Sequence, residues 1–265
     1  NRFMGPLGLI LVLLLSFGHI AHCRATTAVR LLRSVWVQLL AGVLTAVLLV
    51  VLGMREGWAV VSFSVVAFVA TTIVLQMAQG VAARMRSVGE NVVQALSRAV
   101  ANNRRRYGGQ LIHFSILLVV VGITGSQAYQ TEVQVALALG NSVEVQGYTL
   151  SYVDYTYQEI EAGGNIARYQ AQLDVYRGNR RLATIGPERN LHSNVEGAVT
   201  EVALRSNLKE DLYVVLASLE PDGLAAFQVI INPMVIWMWI GGVVLLAGTV
   251  IAAWPARPRG GDSKP

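Results

Sequence analysis

Charge is what this chain has least of. Asp, Glu, Lys and Arg make up 14% of its 265 residues, where a soluble chain carries about a quarter. Together with 54% hydrophobic residues, that shortage excludes an ordinary water-facing surface and marks a membrane protein. Cysteine is nearly absent as well. Cys23 alone excludes an internal disulfide framework and any paired-cysteine redox or zinc motif, and its place at a helix end reads as an unreactive thiol. The N-terminal run has neither a charged leader nor a small-residue cleavage site, so it is not a signal peptide. Because Asn1 stands first and the apolar run starts almost at once, the chain is expected to be a piece of a longer polytopic protein.

The apolar residues gather into five runs of about 18 to 22 residues, the length that crosses about 30 Å of hydrocarbon. They extend over Met4 to Ala21, Trp36 to Gly53, Trp58 to Met77, Gly108 to Ser126 and Pro233 to Trp254. Basic residues then set the orientation. Arg24, Arg30 and Arg33 follow the first run, and Arg55 alone follows the second. Arg84, Arg86, Arg98, Arg104, Arg105 and Arg106 follow the third, and Arg257, Arg259 and Lys264 close the tail. The Arg-rich loops and the tail fall on one side, cytoplasmic, which leaves the N-terminus and the region between the fourth and fifth runs outside. Within the third connection, Val88, Val92, Val93, Leu96 and Val100 recur at helical spacing, so Val81 to Val100 predicts one amphipathic helix, on the inner leaflet or packed on its own bundle.

From Gln127 to Asn232 the pattern changes to short runs alternating apolar and polar residues. These are Glu132 to Leu139, Ser142 to Val145, Thr149 to Tyr155, Ala167 to Tyr176, Arg181 to Ile185, Ala198 to Leu204, Leu212 to Leu219 and Ala225 to Ile231. Glycine- and asparagine-rich turns separate them, a pattern that predicts a small antiparallel β sandwich or barrel. Its clearest hairpin is Ala171 to Ile185, with Gly178 and Asn179 at the tip. The region holds 13 acidic and 7 basic residues, whereas the rest of the chain holds 14 basic and 3 acidic ones. The net +5 and pI of about 9.6 therefore record membrane orientation and give no support to nucleic-acid binding. The expected architecture is an α-helical polytopic membrane protein with five transmembrane helices and an inserted β domain on the outer side. Its parts are residues 1–127, 128–232, 233–254 and a tail at 255–265.

One histidine lies where hydrocarbon should be. Arg104-Arg105-Arg106-Tyr107-Gly108-Gly109-Gln110-Leu111-Ile112-His113 opens the fourth run, with His113 about 8 Å along the helix from Gly108. An intramembrane ionisable group marks a functional site by default, and neutral imidazole is a good ligand for haem iron. Gly108 and Gly109 leave room for a porphyrin or a neighbouring helix. The three arginines suit haem propionates, and are equally what orientation alone produces.

Four stretches together resemble the C-terminal third of the CcmF family of haem lyase subunits, which includes CycK and NrfE. They are Asn1 to Gly8, Arg106 to His113, Thr200 to Leu204 with Glu210 to Leu216, and Asn232 to Gly242. The resemblance implies cytochrome c biogenesis at a bacterial inner membrane. Haem is taken from a CcmE-like chaperone and attached to the CxxCH cysteines of apocytochrome c, alongside a CcmH-like thiol-handling subunit. It further implies a membrane haem b, with His113 as one axial ligand and the opposite histidine upstream of Asn1; Arg106, as one of the three arginines, is the candidate propionate partner on the physical reading above. The family's tryptophan-rich haem-handling segment has no match here.

The remaining candidates read more simply. His19 and His22 sit three apart at an interface where water satisfies them, and His192 falls in an expected loop. Trp237 and Trp239 form an aromatic belt behind Pro233 as helix start, while Gly241, Gly242 and Gly248 suggest close helix packing. The acids Glu201, Glu210 and Asp211 suit partner docking on a β domain rather than paired-carboxylate catalysis. The rival to the haem reading is a cofactor-free membrane-anchored assembly protein whose β domain binds a secreted partner.

Overall fold

The computed structural model describes residues 5, 8–14, 28–159, 166–192, 198–220 and 223–255, the side chains of 28–34, 159, 166, 192 and 198 excepted. Two compact units result, a helical one of Asn1–Ala128 with Ile236–Pro265 and a β unit of Tyr129–Val235.

The helices are α1 (Ala28–Val51), α2 (Gly57–Val88), α3 (Val92–Asn102), α4 (Arg104–Ala128) and α5 (Ile236–Ala253). Among the described residues, α2, α4 and α5 are long and apolar enough to cross a membrane, which corrects the expected five spans to three. The described apolar stretch Val35–Val51 belongs to α1, and Gly53 at φ +90° turns the chain just beyond that helix. The first expected run is described only over residues 8–14.

The predicted single helix over Val81 to Val100 is also corrected. No residue interrupts the ladder after Met77, so α2 continues to Val88 and carries Arg84 and Arg86 within it. Gly89 then adopts φ +73° and donates its N–H to Met85 O, a left-handed cap that a residue with a Cβ would resist. Asn91 restarts the chain by accepting the Gln94 N–H at 2.9 Å on its side chain, which satisfies an orphan donor of α3.

Helix packing uses two kinds of contact. Val66, Val69 and Ile73 of α2 bury against Leu117 of α4 and Val12, and Ser62 and Thr124 join hydroxyls across the same pair at 2.7 Å. The α4–α5 seam uses small residues instead. A Cβ on Gly241 would lie 3.0 Å from Ser115 O, and one on Gly248 would lie 3.0 Å from Ile112 N, so both glycines press backbone on backbone. Gly242, in contrast, faces open space.

The β unit is a sandwich of two antiparallel sheets. One has the strand order β1-β10-β9-β8, and the other β2-β3-β4-β6-β7 with β5 also on β4. The strands are β1 (Thr131–Leu137), β2 (Ser142–Val145), β3 (Tyr148–Glu159), β4 (Ile166–Arg177), β5 (Arg180–Ile185), β6 (Glu188–His192), β7 (Ala198–Glu201), β8 (Ala203–Ser206), β9 (Glu210–Leu219) and β10 (Ala225–Pro233). Period-two alternation fills the core: Phe227, Val229 and Ile231 of β10 lie inward with Leu212, Val214 and Leu216 of β9, against Leu150, Tyr152, Leu173 and Val175 of the facing sheet. Each such side chain, fully buried, contributes about 1.5 to 3 kcal/mol of transfer free energy.

Two expectations are overturned here. His192 is not in a loop but ends β6, opposite Ile166. Pro233 does not start the last helix but closes β10, opposite Glu210. Met234 at φ +64° turns the chain before α5 begins at Ile236.

Candidate functional site

The stretch from Arg104 to His113 belongs wholly to α4, with Asn103 O accepting the first helical N–H groups from Arg106 and Tyr107. At 100° per residue this sequence makes two distinct faces. Gly108, Ile112, Ser115 and Val119 meet α5: a Cβ on Gly108 would sit 2.6 Å from Ala252 N and 2.8 Å from Ala252 Cα. Arg106, Gly109 and His113 lie on another face, since seven residues make two turns, about 10 Å. Gly109 has nothing within 4 Å of where its Cβ would stand, and His113, one turn further on, is half-buried. The two expected glycines are thus split: Gly108 admits a helix and Gly109 leaves open space.

Between these faces α4 presents a polar side chain that the motif contained but that attracted no expectation. Gln110 is 2% exposed and donates through Nε2 to Gln76 Oε1 of α2 at 3.3 Å, while its own Oε1 finds no partner among the described residues. Tyr107, also buried, sets its hydroxyl against Gly80, where a larger residue would clash. The signal for all of these was a polar or small residue inside an apolar run.

At the α2–α3 corner a single carboxylate answers two arginines. Glu90, its side chain 4% exposed, accepts Arg84 Nε at 2.7 Å and Arg98 Nη1 at 2.5 Å. The Arg84 hydrogen bond, then that from Arg98, holds its carboxyl below the usual carboxylate range. This fixes the bend between an apolar helix and an amphipathic one.

In the β unit the expected acids serve the sandwich. Tyr148, fully buried, donates its hydroxyl to Glu210 Oε1 at 2.9 Å. Arg177 reaches the same oxygen at 3.1 Å and lies 5.0 Å over the Tyr148 ring. Burial, then the bond to Glu210, pushes the Tyr148 phenol up. Glu201, on β7, accepts Asn190 Nδ2 at 3.3 Å. A carboxylate tied to arginine and tyrosine in a sheet is a structural anchor, not a general acid or base.

A haem b is a stringent test for these residues. His113 would hold haem iron from α4, where Gly109 leaves open space a turn before it. No group of three metal-ligating side chains exists among the described residues, and the other described histidine, His192, belongs to the β unit. His19 and His22 lie outside the described residues. The donor set therefore fits half of a bis-histidine site.

Comparison with known families matches residues 128–233 to the CcmF C-terminal beta-sandwich. The β unit is therefore similar to that C-terminal domain. The chain as a whole resembles the C-terminal portion of CcmF and NrfE proteins, as its motifs implied. It is 29% identical over 164 residues to the cytochrome c-type biogenesis protein CcmF of Pseudomonas aeruginosa, covering 62% of this chain and 24% of that one. To the probable cytochrome c-type biogenesis protein NrfE of Escherichia coli it is 25% identical over 168 residues, covering 63% and 30%. A solved structure of the cytochrome c haem lyase CcmF superposes with a TM-score of 0.74 at 24% identity, covering 96% of this chain and 40% of that one, and so shares its fold. The chain spans about a quarter of the CcmF relative's length.

Proposed function

We propose that this chain is the C-terminal part of a haem lyase of cytochrome c biogenesis, and that α4 supplies one axial ligand, His113, to a membrane haem b. The observation that carries the reading is the face of α4 on which a half-buried His113 stands one turn beyond the open Gly109. A haem held between two imidazoles supplies one-electron transfer rather than oxygen binding; that role suits reduction of the haem to be attached. Within this chain, Gly108 fixes α4 against α5 and so sets the height of His113, Gly109 leaves space beside it, and Arg106 lies two turns away on the same face to balance a propionate. A second imidazole for that haem would come from outside the described helices.

The basic connection between α2 and α4 supports an orientation. The connection from α2 to α4 carries Arg84, Arg86, Arg98 and Arg104 to Arg106, so it lies in the cytoplasm and the β unit in the periplasm. There the acidic β unit docks the CcmE-like haem chaperone, the CcmH-like subunit and apocytochrome c. The test is the absorbance spectrum of the complete purified protein. Wild type is expected to show a reduced b-type spectrum, and His113→Ala to lose it while keeping its thermal unfolding profile. Undiminished haem in a folded His113→Ala protein overturns the ligand assignment.

A further inference from the structure

A strongly basic corner of the helical unit has no carboxylate to answer it among the described residues. Only Glu56 and Glu90 are acidic among the unit's described residues, and Glu90 is already held by Arg84 and Arg98. Arg104 is half-buried and donates through Nη1 to Pro255 O at 3.0 Å, which satisfies a carbonyl just past the end of α5. Arg105 and Arg106 are exposed and make no ion pair among the described residues. The three line a cavity of about 610 Å³ with Asn103, Trp254 and Pro255.

A second concavity opens beside the first and shares Ala101, Arg104 and Trp254 with it. It measures about 400 Å³, and its other walls are mostly aliphatic, Val100, Val250 and Ile251 beside Ser97. A cationic cup leading into an aliphatic slot has the polarity of a phospholipid, phosphate first and hydrocarbon after. A free phosphate would use the cup and leave the slot unfilled. Both cavities lie at the ends of two helices apolar enough to span a membrane, where headgroups meet acyl chains. Trp254, 62% exposed, is the residue type that prefers that level.

We propose that the corner of α3, α4 and the end of α5 binds one anionic phospholipid. Arg104 and Arg105 hold its phosphate, and its upper acyl carbons lie along Val100, Val250 and Ile251. Arg106 remains on the His113 face, so this site stands whether or not the haem reading does.

The experiment uses the complete protein in detergent, titrated with short-chain phosphatidylglycerol, short-chain phosphatidylcholine or inorganic phosphate, with bound lipid read by native mass spectrometry. Wild type is expected to prefer phosphatidylglycerol. Each arginine replaced should weaken it about fivefold, and Arg104→Gln with Arg105→Gln together about thirtyfold. Arg105 is exposed, so Arg105→Gln keeps the test readable if Arg104→Gln does not fold. Val250→Ser with Ile251→Ser should weaken phosphatidylglycerol and leave phosphate unchanged. Equal binding of the two lipids by wild type overturns the proposal, as does displacement by phosphate at the lipid's own concentration. Loss of haem from Arg105→Gln would assign the arginines to propionates and likewise overturn it.

Discussion

Two adjacent glycines of α4 are expected to respond to the same substitution with opposite signs. A Cβ at Gly108 would stand 2.6 Å from Ala252 N and 2.8 Å from Ala252 Cα and Cβ. Comfortable carbon contacts begin at about 3.5 Å. The obstacle is backbone, which cannot rotate aside, so α4 and α5 must part by roughly 1 Å. That gap runs along a seam already tight at Gly241 and Gly248, and overpacking of this kind costs about 1 to 3 kcal/mol. Alanine recovers about 1 kcal/mol of helix propensity. The net for Gly108→Ala is a loss of up to about 2 kcal/mol, or a fall of up to about 8 °C in unfolding temperature. Gly109→Ala meets nothing within 4 Å and keeps only the propensity gain, so its unfolding temperature should rise by a few degrees. The assay is thermal unfolding of the purified protein and both variants in one detergent. If Gly108→Ala is stabilised as much as Gly109→Ala, the seam is not where the packing places it.

Removing the Tyr152 hydroxyl should stabilise the β unit. That group is fully buried, has no partner among the described residues, and is pushed up to about 12 chiefly by burial. Tyr152→Phe keeps the edge-on contact with Phe227 at 5.4 Å and removes an unmade hydrogen bond, a gain of about 1 kcal/mol, so hydrogen exchange in β3 and β10 should slow. Faster exchange would show that the hydroxyl is satisfied. Glu90 has its carboxyl depressed by Arg84 and Arg98. Its contribution is therefore complete above the ordinary carboxylate range and lost as pH falls through the folded-state value. Wild type should exceed Glu90→Gln in thermal stability at neutral pH and converge with it in acid; a constant difference would refute the clamp.

The sandwich was legible because each inward side chain alternates with an outward one, and the alternation survives in β9 and β10. The hairpin at Gly178 was legible because Gly178 adopts φ +57°, as a tight turn demands. What escaped is equally physical. The run from Ala198 to Leu204 reads as one strand, yet it divides at Val202 so that β7 and β8 join different sheets, and no local signal marks a strand changing partners. The strand β6 carries Arg189, Asn190 and His192, and its polarity hid it. In α4 the doublet Gly108-Gly109 announced close approach but not which glycine met a helix. That depends on the phase of α4 against α5, which is tertiary information.

One pairing in the sandwich has a consequence in time. The strand β1 sits at a sheet edge, and its partner among the described strands is β10, with Thr131 opposite Ile231. At ribosomal rates of about 5 to 20 residues per second, the 100 residues between those partners take about 5 to 20 s to synthesise. Throughout that interval β1 is an open edge awaiting a strand not yet made. Because β10 runs almost directly into α5, the last apolar helix follows the strand that completes the sheet, and closure of the sandwich and insertion of α5 become consecutive steps of a single biogenesis event.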